Sequence, residues 1–121
     1  MSCSKMRETP FKQLVERWLE SIGAWYIKYW AGARYTKEGI PDILACIKGN
    51  FYGIELKGDE GRPSLLQIVN LRKIREAGGV GVLLYPKDFE SFTDFSSADY
   101  WHRWYLDNMR VQDEWFEKLT P

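Results

Sequence analysis

Histidine and cysteine are nearly absent from the 121 residues: the chain has one histidine, His102, and two cysteines, Cys3 and Cys46. The cysteines lack the close spacing of a zinc knuckle, and two thiols cannot supply the framework of a disulfide-stapled domain. The fold must therefore rest on apolar residues, which make up 45% of the chain. His102 lies apart from any motif, and we interpret it as structural.

Long apolar runs are also missing. No run approaches the length of about 18 residues that a membrane helix needs, and the first residues contain no hydrophobic signal segment. We therefore expect an intracellular, cytoplasmic protein without membrane contact. Net charge is zero, yet residues 1–79 hold 13 basic and 9 acidic side chains, whereas residues 80–121 hold 4 and 8. The basic part is a weak indication of a surface for a polyanion, and on charge alone an ordinary mixed-charge surface is the favoured interpretation.

The hydrophobic pattern predicts one α/β domain over residues 1–121, with a core at 8–86 and a helical tail at 87–121. The predicted order is α-β-β-β-α-β, a small mixed β-sheet flanked by helices. Thr9 is the expected N-cap of the first helix. The second helix is expected to begin with a capping box formed by Ser64 and Gln67. The predicted elements are a helix at 10–22, a strand at 25–30, a hairpin at 41–57, a helix at 64–77 and a strand at 80–85.

The predicted hairpin has the sequence PDILACIKGNFYGIELK, in which Asp42, Glu55 and Lys57 lie among apolar strand residues, and Lys48 lies beside the predicted turn. A turn at Gly49-Asn50 would place Asp42 opposite Lys57 and Leu44 opposite Glu55. Side chains two residues apart or directly opposite share a face, so Asp42, Glu55 and Lys57 should converge at the open end of the hairpin. The other face should be apolar, formed by Ile43, Ala45, Ile47, Tyr52, Ile54 and Leu56.

Buried charges of this kind cost several kcal/mol unless they are paired or bind a metal. Two neighbouring carboxylates repel each other, and a hard divalent cation such as Mg²⁺ removes that repulsion. With Lys57 beside them, Asp42 and Glu55 would suit metal-assisted hydrolysis of a phosphodiester. The alternative is a structural ion pair between Asp42 and Lys57, with Glu55 in solvent.

The ordered combination of these residues resembles the PD-(D/E)XK nuclease superfamily. It resembles most closely the virus-type replication-repair nuclease (VRR-NUC) branch in its stand-alone phage and bacterial form. The motif residues are Pro41-Asp42 and the IELK segment that ends at Lys57. Around them lie Glu8 at the start of a helix, the glycine-rich loop after Lys57 and the segment from Ser64 to Gln67. The resemblance implies a restriction-endonuclease-like core.

The resemblance also implies a site and a cofactor. Asp42 and Glu55 would be ligands of Mg²⁺ or Mn²⁺ together with the backbone carbonyl of Leu56, and Lys57 would be the catalytic lysine. Glu8 matches the acidic residue of the first helix and a further metal ligand, and Gln67 matches the glutamine of the second helix. From the residues alone, Glu8 is equally well a first-turn acid that favours the helix dipole, and Gln67 a capping residue.

The implied activity is that of a metal-dependent, structure-selective endodeoxyribonuclease that cuts branched DNA, as a homodimeric Holliday junction resolvase does. Stand-alone relatives of this kind are often phage-encoded and act in a bacterial host. A flap or nicking nuclease with the same site is one alternative, and a non-catalytic DNA-binding module is another. Basic and aromatic loop residues expected to contact DNA beside the site are Arg34, Tyr35, Lys37, Lys48 and Arg62.

The tail is acidic and rich in aromatic residues, among them Trp101, Trp104, Tyr105, Trp115 and Phe116. Aromatic residues are enriched in the cores of protein interfaces, which favours a tail that helps form the homodimer. The alternative is that the tail packs against its own sheet.

Overall fold

The predicted order of helices and strands is confirmed by a computed structural model of the protein, which describes residues 5–29 and 37–121. Thr9 is not the N-cap of the first helix, because the helix begins at Glu8 with Arg7 at the N-cap position. Pro10 thus lies in the first turn, where its missing N–H breaks no helical hydrogen bond. The elements are α1 (Glu8–Ser21), β1 (Trp25–Lys28), β2 (Ile43–Ile47), β3 (Asn50–Leu56), α2 (Leu65–Glu76), β4 (Val80–Leu84), a 3-10 turn (Pro86–Asp88), α3 (Phe89–Thr93) and α4 (Ala98–Leu119).

The described strands form a mixed four-stranded sheet in the order β1-β2-β3-β4. The first two pairings are antiparallel, and β3 pairs with β4 in parallel. Helix α2 is the crossover between the two parallel strands, as a parallel connection requires. Its N-terminus has the predicted capping box: Gln67 N–H donates to Ser64 Oγ, and Ser64 N–H donates to Gln67 Oε1.

The predicted register of the hairpin is wrong by two residues. The turn is formed by Lys48 and Gly49, with φ of 49° and 87°, and Ile47 pairs with Asn50. Positive φ at both central residues is the geometry whose twist suits a two-residue hairpin. Continuing the ladder from the pair Ile43 and Ile54 places Asp42 opposite Glu55 rather than opposite Lys57. A shift of two residues leaves every side chain on its predicted face.

The two faces of the sheet are covered by different helices. One face carries the predicted apolar set of the hairpin and packs against Phe11, Val15 and Leu19 of α1 and against α3 and α4. All six predicted hairpin residues are buried there, none more than 6% exposed. The opposite face is covered over β3 and β4 by α2, with Ile68 and Leu71 against Leu83. Glu55 and Asp42 belong to this second face.

Helix α4 runs along the edge of β4 and replaces a neighbouring strand. The N–H of Gly81 donates to Tyr105 Oη at 3.1 Å, and its carbonyl accepts from Gln112 Nε2 at 2.9 Å. The side-chain amide of Asn108 accepts from Leu83 N–H and donates to Leu83 O, at 3.0 and 2.7 Å. Tyr105, Asn108 and Gln112 thus satisfy the outer backbone groups of an edge strand, which would otherwise be open to pairing with another chain.

The aromatic residues of the tail pack largely inside this chain. Trp101 stacks near Phe92 and Tyr52, and Trp115 and Phe116 pack on the α2 side of the sheet. No helix in the described parts of the chain is both long and apolar enough to cross a membrane.

Candidate active site

Asp42 stands immediately before β2, at the open end of the hairpin, and is held by the neighbouring strand. Its Oδ2 accepts a hydrogen bond of 2.8 Å from the backbone N–H of Leu56. Its Oδ1 lies 3.6 Å from the ammonium of Lys12. Because one oxygen is bound by the backbone, the carboxylate has a defined orientation toward β3.

Glu55 is the most deeply buried charged residue of the site, with 1% of its surface exposed. Its Oε2 lies 3.2 Å from Lys57 Nζ, whereas Oε1 is buried and has no hydrogen-bond partner among residues 5–29 and 37–121. Burial, and then the neighbouring charge of Asp42, raise the pKa of Glu55 from 4.5 to about 8, although Lys57 opposes the shift. An unpartnered carboxyl oxygen at this depth is costly, and a proton or a metal cation would complete it.

Lys57 follows the last residue of β3, and its side chain is only 12% exposed. Its backbone N–H donates to Leu84 O at 3.0 Å, which continues the sheet for one more residue. The glycine-rich loop lies against its aliphatic stem: a Cβ atom on Gly61 would come within 3.0 Å of Lys57 Cβ. The ammonium is thereby directed at Glu55, two residues back along the chain.

Glu8, at the start of α1, contacts the loop that follows Lys57. A Cβ atom on Gly58 would lie 2.8 Å from Glu8 N, so glycine allows the loop to touch the start of α1. The contact is reinforced by Asp59, which bonds Met6 through both its backbone N–H and its carboxylate. The side chain of Glu8 is about half exposed, and its Oε2 is 3.8 Å from Lys12 Nζ. A cleft of about 610 Å³ opens beside it, between residues 5–8 and 58–61.

Lys12 is the site residue that sequence reasoning missed. It bridges Glu8 and Asp42, at 3.8 and 3.6 Å. Its spacing of four residues from Glu8 is visible in the sequence, but such pairs are common on any helix surface. Its contact with Asp42 arises only when α1 packs beside the hairpin.

The hydrogen bonds of Gln67 do not connect it to the carboxylates of Asp42 and Glu55. In the part of the chain that the structure describes, both of them are made to Ser64 at the start of α2. Its predicted place in the site therefore stays a prediction, while its alternative interpretation as a capping residue is confirmed.

The residues predicted to contact DNA do not all lie beside the site. Arg62 lies exposed in the loop after Lys57, and Lys37 is exposed ahead of the hairpin. Lys48 does not flank the site: it lies in the turn at the closed end of the hairpin, about 20 Å along the strand from Asp42. Its ammonium is 5.6 Å from the centre of the Phe95 ring. Arg34 and Tyr35 lie outside the described residues.

A solved structure described as a "VRR_NUC domain" shares the fold of this chain, with a TM-score of 0.60 and 22% sequence identity. The match covers 74% of this chain and 97% of that one. Neither a protein-family model nor a curated protein sequence matches the chain. The restriction-endonuclease-like core expected from the motif residues is thus confirmed at the level of the fold.

Proposed function

We propose that this chain is a metal-dependent, structure-selective DNA endonuclease of the VRR-NUC type. The observation that carries the proposal is the buried carboxyl group of Glu55. One oxygen of Glu55 pairs with Lys57, the other has no hydrogen-bond partner among the described residues, and Asp42 lies opposite it in the hairpin. A structural ion pair between Glu55 and Lys57 would not by itself require a second carboxylate beside it.

The residues present fit a Mg²⁺ or Mn²⁺ ion. Asp42, Glu55 and the backbone carbonyl of Leu56 would hold it, and Glu8 is the further acid within reach of the same region. The N–H of Leu56 points to Asp42. The N–H and C=O of one strand residue point to the same side of the strand, so the carbonyl of Leu56 also points toward the side on which Asp42 lies. When bound, the ion would neutralise both carboxylates and polarise the phosphate to be cleaved.

The small number of protein ligands is consistent with Mg²⁺ or Mn²⁺ as the bound ion. Within residues 5–29 and 37–121, no group of three or more His, Cys, Asp or Glu side chains forms a preassembled metal cage. Mg²⁺ is usually bound by one or two carboxylates and completes its shell with waters and substrate phosphates. An ion of this kind would therefore bind most tightly when DNA is present.

Lys57 is the proposed catalytic residue. Its ammonium is held beside Glu55 and can donate hydrogen bonds to an attacking water or to a phosphate oxygen on which charge develops. Hydrolysis joins the water oxygen to phosphorus and breaks the bond to the 3′ oxygen, which leaves with a proton. Arg62, exposed in the loop after Lys57, would contact a phosphate of the DNA backbone.

The proposed substrate is branched DNA, and the proposed state is a homodimer that presents two sites to the two symmetric strands of a four-way junction. Because the aromatic residues of the tail pack inside this chain, another surface becomes the better candidate for the dimer contact. This surface is the exposed part of the sheet that carries Trp25 of β1 and Phe51 of β3. Trp25 is 67% exposed and Phe51 is 49% exposed, and both pair with Cys46 in one row across the sheet. We propose that a second copy of this chain covers this row.

The decisive experiment incubates the wild type and Lys57→Ala with a labelled four-way junction, a flap and a linear duplex, each in Mg²⁺, Mn²⁺ or EDTA. Paired symmetric cuts in the junction alone, lost in EDTA and in the variant, are the expected result. Lys73→Ala, which removes an exposed lysine of α2, is the matched control and should cut normally.

Two other outcomes point to the alternatives. Cleavage of the flap or of one duplex strand would support the proposed hydrolysis but overturn the four-way junction as the substrate. Binding without cleavage in any metal would favour a DNA-binding module and overturn the proposed activity.

A further inference from the structure

The ammonium of Lys12 occupies the space between two carboxylates that the proposed function assigns to the metal site. Lys12 Nζ lies 3.6 Å from Asp42 Oδ1 and 3.8 Å from Glu8 Oε2. The side chain is 30% exposed, so the ammonium is partly withdrawn from solvent.

The two oxygens of Asp42 have different partners. Oδ2 accepts the Leu56 N–H, a bond that belongs to the framework of the hairpin. Oδ1 lies 3.6 Å from the ammonium of Lys12, an ion pair that leaves the backbone untouched. An arriving cation can therefore take the place of the ammonium at Oδ1 without breaking the backbone bond that orients Asp42.

Charge balance explains why a lysine is present there. Glu8 and Asp42 each form an ion pair with Lys12, whereas Lys57 is engaged with Glu55. Without Lys12, neither Glu8 nor Asp42 would keep an ion-pair partner among the described residues, and neighbouring like charges repel.

We propose that Lys12 is a resident counter-ion of the metal-free site: it holds Glu8 and Asp42 in place, and a divalent ion displaces it. This inference rests on the proposed function, since it concerns the same metal site. Lys12 sets the affinity for the ion, because every binding event must first break its two ion pairs. It is a positioning residue, because it acts on the ion through Glu8 and Asp42.

The test measures Mn²⁺ binding by calorimetry, without DNA, to the wild type, Lys12→Met and Lys12→Arg. Met keeps most of the aliphatic stem and removes the charge, whereas Arg keeps the charge. We expect Lys12→Met to bind Mn²⁺ about tenfold more tightly, the change that 1.4 kcal/mol produces, and Lys12→Arg to stay close to the wild type. Asp42→Asn should abolish the signal, which shows that the heat comes from this site.

Thermal unfolding supplies a second readout. In EDTA, Lys12→Met should unfold at a lower temperature than the wild type, since Glu8 and Asp42 lose their counter-ion. Saturating Mn²⁺ should close or reverse that difference.

The outcomes separate this inference from the proposed function. Equal or weaker Mn²⁺ binding by Lys12→Met, with clear binding by the wild type, would overturn the role of Lys12 and leave the metal site intact. Binding by Lys12→Met alone would support the inference in its strongest form. No binding by the wild type, Lys12→Met or Lys12→Arg would overturn the proposed metal site and this inference with it.

Discussion

The carboxylate of Asp42 accepts a hydrogen bond from the backbone N–H of Leu56, the residue next to Glu55, at 2.8 Å. This bond ties the residue before β2 to the end of β3. It places the two carboxyl groups of the site side by side, although they are 13 positions apart in the sequence. The bond also separates the structural role of Asp42 from its proposed role as a metal ligand, because each role uses a different oxygen.

Two substitutions of Asp42 should therefore behave differently. Asn keeps an oxygen that can accept the Leu56 N–H, so Asp42→Asn should fold with near-normal stability while losing Mn²⁺ binding. Asp42→Ala leaves that N–H without its partner and should cost about 1–3 kcal/mol of unfolding free energy. Urea unfolding and calorimetry on both variants provide the measurement. Equal stability of the two would show that the bond contributes little.

The free energy of unfolding of the metal-free protein should fall as the pH rises from about 4.5 to about 8. The pKa of Glu55 is about 8 in the folded state and has an ordinary value of 4.5. Across this window the folded protein keeps a proton that the unfolded chain has released, so rising pH favours unfolding. At about 1.36 kcal/mol per pKa unit, the loss should be on the order of 5 kcal/mol and should level off above pH 8.

Glu55→Gln is the control for this pH dependence, because a side-chain amide does not titrate in this range. Urea unfolding across the window should give a nearly flat profile for the variant. A wild-type profile equally flat would mean that Glu55 titrates normally in the folded protein.

Lys57 should lower the pKa of Glu55, because its ammonium lies 3.2 Å from Glu55 Oε2. Lys57→Met should therefore raise the pKa of Glu55 above its wild-type value of about 8. Asp42→Asn removes a neighbouring negative charge and should lower it. NMR titration of the Glu55 carboxyl carbon measures both shifts, with Lys73→Met as a control that leaves the pKa unchanged. Shifts in the same direction for both variants would contradict this account of the charges.

Asn108 should be essential to the stability of the sheet edge. Asn108→Leu would leave the N–H and carbonyl of Leu83 buried without partners, at a cost of about 2–4 kcal/mol in unfolding free energy. Asp107→Ala, at the exposed neighbouring position of the same helix, should change stability by less than about 0.5 kcal/mol. Urea unfolding of the two variants tests the difference. A small effect of Asn108→Leu would mean that water replaces the amide.

The proposed dimer surface can be distinguished from the tail by two matched substitutions. Trp25→Asp places a charge in the exposed row on the sheet, and Leu106→Asp places one on an exposed position of α4 that is 48% accessible. Light scattering at micromolar concentration should show a dimeric wild type, a monomeric Trp25→Asp and a dimeric Leu106→Asp. Dissociation by Leu106→Asp instead would restore the tail as the interface. A monomeric wild type would remove the dimer altogether.

Much of this arrangement follows from local patterns in the sequence. The apolar stripe of α1, the alternation in the hairpin and the capping box at Ser64 predict which residues face the core, because side-chain direction repeats with a fixed period along a helix or a strand. For the same reason, Asp42 and Glu55 could be assigned to one face even with the register wrong by two residues. The order of elements followed from these periods and from the glycines that end them.

Only the tertiary structure decided which groups meet. The register depended on Lys48 adopting a positive φ, which a non-glycine residue adopts uncommonly and which the pattern of the strands does not reveal. The place of Lys12 depended on how α1 packs beside the hairpin, and the pairing of Asn108 with β4 on how α4 returns along the sheet. Contacts between residues distant in sequence arise from packing of whole elements. A short-range pattern determines the face that an element presents, but not the partner that it finds.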